Sequence, residues 1–159
     1  MPATRFDPSK AQAAEVRSDE HSVVEDRTRS CATPVALNYT IVHARDARVS
    51  AALLAEILGR PPPVHFGPFH GAELDNGVTL DFMQADGDIT GQHYAFIVSE
   101  PEFDANFARI VERGLPYWAD PGHHQPGRIN RRDGGRGVYW DNPDGHNLEI
   151  LTRPYGSGW

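Results

Sequence analysis

Cysteine is almost absent. Cys31 is the only one in 159 residues, which excludes an internal disulfide framework and any cysteine-rich zinc module. Lysine is scarce too: Lys10 stands alone beside 14 arginines, a skew of the kind a GC-rich genome produces. No apolar run approaches the roughly 18 to 20 residues that span a bilayer, and the N-terminus lacks the apolar stretch of a secretory signal. Basic charge is in deficit. A net charge of −7 argues against a nonspecific phosphate-backbone binder. Hydrophobic residues at 39% and charged residues at 23% are ordinary for a soluble globular chain, and the length suits one domain with its own core. The expectation is a cytoplasmic, single-domain protein that binds a small molecule, with neither nucleic acid nor membrane as partner.

Residues 1–33 read as an extension, disordered or laid over the surface, with room for a short helix at 10–17. The texture of a folded domain runs over 34–159. Residues 37–44 are β-branched and apolar and read as a strand. In 49–59, Val49, Leu53, Leu54, Ile57 and Leu58 repeat at helical spacing, and Gly59 stands where a helix-ending glycine belongs. Two short strands broken at Gly67-Pro68 follow, then a turn at Asp75-Asn76-Gly77 and a strand over 78–84. The pattern then begins again. A strand over 93–99 leads to Ser99 and Glu102 at capping-box spacing. A helix carrying Phe103, Phe107, Ile110 and Val111 stops at Gly114. Strands at 115–120, 136–142 and 146–153 complete the second half, with a long Gly/Pro-rich loop at 121–135. Each half therefore reads β-α-β-β-β, in modules of about 36–84 and 92–153. The fold class expected is α+β: two βαβββ modules forming a curved mixed sheet around a cleft, with the helices outside.

Two motifs carry a family resemblance. They are the D-x-x-x-S-x-x-x-L-x-x-I-L-G stretch at 46–59 and G-V-Y-W-D-N-P-D-G-H-N-L-E-I at 137–150. With the paired modules, the chain resembles the vicinal oxygen chelate superfamily, which includes glyoxalases, bleomycin and fosfomycin resistance proteins and extradiol dioxygenases. The resemblance covers roughly 36–153 and implies a metal held by side chains from the first and last strands of each half. The matching positions are Tyr39, Asp81, His93 and Glu149.

Imidazole and carboxylates form a mixed nitrogen and oxygen shell suited to Fe(II), Mn(II), Ni(II), Co(II) or Zn(II). The resemblance thus implies His93, Glu149 and Asp81 as metal ligands, with Asp81 also a candidate catalytic acid. Glu149 and Asp81 both sit between apolar neighbours on strands, where an uncompensated carboxylate costs several kcal/mol. Tyr39 departs from the family, which commonly has histidine at this slot. A phenol, titrating near about pH 10, is a poor ligand unless a metal depresses it, so Tyr39 reads as a weak ligand, hydrogen-bond donor or acid/base group. His43 shares the strand parity of Tyr39 but lies about 13 Å along, too far to replace it as a ligand, and remains a cleft-lining candidate.

Strand alternation sends one of Tyr117 and Trp118, and one of Tyr139 and Trp140, into the cleft. Trp118 is the substrate-binding candidate of the first pair and Tyr139 the catalytic candidate of the second. His123, beside His124 on the 121–135 loop, is a second substrate-binding candidate. Arg136, with Arg131 and Arg132, suits an anionic ligand. His146, in the turn before the last strand, reads as structural.

Two functions follow. The first is a metal-dependent enzyme of the glyoxalase or dioxygenase type, acting as dioxygenase, lyase, isomerase or transferase on a small oxygenated molecule chelated at a divalent metal. The second is a metal-free protein that sequesters a drug-like compound, as bleomycin resistance proteins do. A homodimer is expected, the commonest closed assembly.

Overall fold

The computed structural model describes residues 35–157; the extension over 1–33, with its candidate helix and Cys31, lies outside the described residues. The first module runs β1 (Tyr39–Ala44), α1 (Ala47–Ile57), β2 (Val64–Phe66), β3 (Phe69–Glu73) and β4 (Thr79–Gln84). The second runs β5 (His93–Ile97), α2 (Glu100–Glu112), β6 (Tyr117–Trp118), β7 (Gly137–Asp141) and β8 (Asn147–Leu151). Each module builds its own four-stranded mixed sheet, ordered β1-β4-β3-β2 and β5-β8-β7-β6. The first and last strands of each module are parallel neighbours, and the other pairs are antiparallel. This is the α+β architecture of two βαβββ modules, and among the described residues the sheets close into no barrel. No helix among the described residues is long and apolar enough to cross a membrane.

Local chemistry explains where the elements start and stop. The Asp46 side chain caps α1 by accepting from the Val49 N–H, and Gly59 at φ +66° lets the chain leave the helix. Ser99 and Glu102 form a full capping box at the start of α2. That cap ends β5 at Ile97, two residues short of the expected strand. The strand expected over 115–120 contracts to the two residues of β6. The Asp120 carboxylate accepts from the backbone N–H groups of Gly122, His124 and Gln125, which winds the chain away from the sheet.

One face of each sheet is covered by its helix. Val42, Ala44, Leu80 and Phe82 from the first sheet and Phe96, Val138, Trp140, Leu148 and Ile150 from the second join Leu54, Ile57, Phe103 and Ile110 of the helices in a single core. Val49 and Val111 instead point to solvent, because alanines and Ser50 form the contact face of α1 and Phe103 and Ile110 that of α2. The modules are joined by side chains as well as by packing. Asp144 accepts from the Arg45 N–H at 2.9 Å and the Ser50 hydroxyl at 2.5 Å. The buried His146 accepts the Gln92 N–H at Nδ1 (3.0 Å), so its proton is on Nε2, donated to the His43 carbonyl at 2.8 Å. The structural reading of His146 thus has a mechanism: it bolts β1 to the start of β5.

Candidate functional site

Among the described residues the opposite face of each sheet carries no helix, and strand parity places the candidate residues there. In β8, Asn147, Glu149 and Leu151 share it; in β7, Gly137, Tyr139 and Asp141; in β5, His93, Ala95 and Ile97. In the first module the matching residues are Tyr39, Ile41 and His43 on β1 and Thr79, Asp81 and Met83 on β4. The two halves correspond residue for residue. His93 lies two positions before Ala95, the partner of Glu149, and Tyr39 lies two positions before Ile41, the partner of Asp81.

Glu149 is 1% exposed. Its Oε1 accepts from the Tyr155 hydroxyl. Among the described residues its Oε2 has no hydrogen-bond partner, although His93 Nε2 lies 3.3 Å away outside bonding alignment. The Tyr139 hydroxyl is 2.7 Å from that of Tyr155, and the Tyr139 ring packs 5.7 Å from the His93 ring. Burial first, then the bonds to each other and to Glu149, raise Tyr139 well above the usual phenol range. Burial and the bond to Glu149 raise Tyr155 as well. Both phenols therefore stay protonated beside the carboxylate.

Asp81 is 5% exposed, and among the described residues its Oδ1 has no hydrogen-bond partner. Gly71, its neighbour on β3, makes the room: a Cβ there would stand 3.0 Å from Asp81 Oδ1 and 3.1 Å from the Phe66 ring. Tyr39 and His43 are exposed on β1.

His93 Nε2 and Glu149 Oε2 converge as one nitrogen and one oxygen donor, the chemistry a divalent ion takes. The unpartnered Oε2 of a carboxylate this deeply buried fits a cation. Two donors are still an incomplete shell. Among the described residues, no three His, Cys, Asp or Glu side chains lie close enough to hold one ion. Within one chain, then, Asp81 is not brought to His93 and Glu149.

Trp118 and Tyr139 are paired across β6 and β7 and share the helix-free face, whereas Tyr117 packs on Phe107 of α2 and Trp140 is in the core. His123 stacks on Trp118 with ring centroids 3.8 Å apart. Its Nε2 accepts from Asn147 Nδ2 at 3.0 Å and lies 3.4 Å from Asp141. His123 thus covers one face of Trp118, in a backbone at φ 61° that is uncommon for a side-chain-bearing residue. Arg136 stands apart and corrects the expectation for it. Its guanidinium bonds Glu100 and Asp104 on α2 and lies over the Phe103 ring, so the structure does not bring it to this face. The acids at the helix N-terminus are the nearer counter-charges. Tyr155 was not among the candidates: it lies beyond the last strand, where no periodicity marks it, and only the folded chain returns it to Glu149.

No family model and no curated protein matches the chain. Solved structures do. Oxidase ChaP-H1 is 62% identical, covering 77% of this chain and 99% of that one, with a TM-score of 0.76. Oxidase ChaP-H2 is 59% identical, covering 79% and 98%, with a TM-score of 0.77. A lactoylglutathione lyase from Agrobacterium tumefaciens is 19% identical over 80% and 98% of the two chains, with a TM-score of 0.58, and shares the fold. The structural relatives thus include enzymes of the kind the paired modules imply. The duplicated βαβββ unit, the matched acid on the last strand of each module and the close likeness to two oxidases lead to one assignment: the chain belongs to the vicinal oxygen chelate superfamily.

Proposed function

We propose that the protein is a metal-dependent enzyme, an oxidase in reaction type, acting on a small oxygenated molecule chelated at a divalent ion. Glu149 carries the reading: a carboxylate 1% exposed, with one oxygen unpartnered beside His93. Leaving it ionised and uncompensated costs several kcal/mol, which a cation offsets. A metal-free sequestering protein has no use for that arrangement, although Tyr39 in place of the family's histidine is the feature such a protein would share. The likeness to two oxidases supports the reaction type.

His93 and Glu149 are the ligands of this half of the site, drawn from Fe(II)-, Mn(II)-, Ni(II)-, Co(II)- or Zn(II)-compatible donors. When bound, such an ion supplies Lewis-acid polarisation of adjacent substrate oxygens. Tyr139 flanks His93 and keeps its proton, which it donates to the Tyr155 hydroxyl. The Trp118–His123 stack lies on the same helix-free face, with Asn147 holding the imidazole and itself donating to Asp141.

The other half of the shell comes from a second chain in a homodimer, whose Tyr39/Asp81 pair meets this His93/Glu149 pair. Exposed Ile41 (43%) and Ile97 (60%) on the helix-free faces support that assembly. The test of the metal reading is substitution of the ligands. His93→Ala and Glu149→Ala should each weaken Mn(II) or Fe(II) binding at least about tenfold, and unchanged affinity in both would end the reading.

A further inference from the structure

We infer that Tyr155 is a positioning residue for Glu149: its hydroxyl holds Oε1, so that Oε2 is the oxygen turned to His93 and offered to a cation. This rests on the metal reading of the same pair.

The direction of the hydrogen bonds carries the argument. A carboxylate only accepts, so the Tyr155 proton lies on the Glu149 side. A hydroxyl has one proton, so at the 2.7 Å contact Tyr139 donates and Tyr155 accepts. The order Tyr139 to Tyr155 to Glu149 is therefore fixed. Of the two carboxylate oxygens, one is occupied by the phenol and the other is buried without a partner. Free rotation of the carboxylate would spoil the approach of Oε2 to His93, and the Tyr155 bond opposes that rotation.

The segment that bears Tyr155 is anchored independently of its hydroxyl. The Gly156 N–H donates to Asp133 at 3.1 Å, and the Ser157 hydroxyl donates to the Pro154 carbonyl at 2.5 Å. The Arg132 guanidinium lies 5.9 Å from the centre of the Tyr155 ring. Asp133 adopts φ 51° to reach its place. Removing the hydroxyl alone thus leaves the segment where it is, which makes Tyr155→Phe a test of the bond and not of the segment. Hydrogen-bond partners that orient metal-binding side chains commonly contribute about 10- to 100-fold in affinity.

The experiment is titration of the full, metal-stripped chain with Co(II), by calorimetry and by the visible ligand-field bands. Tyr155→Phe should weaken Co(II) binding about tenfold or more and alter the bands, with the melting temperature of the stripped protein held. Tyr139→Phe should give a smaller loss, because it is the Tyr155 hydroxyl that holds Oε1, while the Tyr139 hydroxyl donates to Tyr155. Ser157→Ala should bind as the parent does. Wild-type affinity and bands in Tyr155→Phe, with binding abolished in Glu149→Gln, would overturn the positioning role and leave the metal reading standing. Equal losses in Tyr155→Phe and Ser157→Ala would overturn it too, since the ordering of the segment, not the hydroxyl, would then be what matters. Undiminished binding in Glu149→Gln would overturn both.

Discussion

Replacing Asp144 with alanine should unfasten the two modules, and the cost can be worked from the contacts. The Asp144 carboxylate is 6% exposed and accepts two bonds from the first module. The Ser50 hydroxyl, on a residue 2% exposed, would lose a charged acceptor and find no water in its place. Such a loss costs about 2–3 kcal/mol. The Arg45 N–H is nearer solvent and regains water, so its share is about 1 kcal/mol. The sum is about 3–4 kcal/mol. At about 3 °C per kcal/mol for a chain of this size, the melting temperature should fall by about 10 °C in scanning calorimetry. Asp144→Asn keeps an acceptor for the Arg45 N–H and an amide that the Ser50 hydroxyl can accept from, so it should lose about half as much. A fall of less than about 3 °C in Asp144→Ala, or equal falls in the two variants, would refute the idea that this carboxylate fastens the modules.

Three further outcomes are expected. Tyr39→His should tighten divalent-metal binding, because a neutral imidazole is a better ligand than a protonated phenol at pH 7; unchanged or weaker binding by calorimetry would mean that position 39 does not meet the ion. Ser99→Ala removes the hydroxyl bonds of the capping box of α2, leaving the backbone bond to Glu102, and should cost about 1 kcal/mol in urea denaturation near neutral pH. The bonds from Ser99 hold the Glu102 carboxyl below its usual range, so their stabilisation is full above the ordinary glutamate pKa and is lost as pH falls through the depressed one; a cost that stays constant into acid would contradict this. Mixing Asp81→Ala chains with Glu149→Ala chains should restore some metal sites, because one shared site of the mixed dimer receives both intact pairs; no recovery despite proven subunit exchange, or a monomer by light scattering, would remove the shared site.

Much of this fold is written in short-range signals. The capping box at Ser99, the helix stops at Gly59 and Gly114 and the alternation along β1, β4, β5 and β8 fix the element order and the face each acid occupies. The same alternation sorts Trp118 and Tyr139 from Tyr117 and Trp140. What escapes sequence reading is long-range. Arg136 is taken up by Glu100 and Asp104, 36 and 32 residues away, a pairing that needs the folded α2 beside β7. Tyr155 reaches Glu149 only because the chain after β8 folds back and is held at Asp133. The contraction of β6 comes from three backbone bonds to the Asp120 carboxylate, which compete with strand pairing and leave no mark in hydrophobic periodicity.

The most direct measurement is metal content. The protein should be purified without chelator and supplied with Fe(II), Mn(II), Ni(II) or Zn(II), then analysed before and after EDTA, beside His93→Ala and Glu149→Ala. About one ion per chain is expected in the parent, removable by EDTA, with binding weakened at least about tenfold in each variant. A parent that takes up no ion, or variants that hold as much as the parent, would contradict the assignment of Glu149 and His93 as metal ligands.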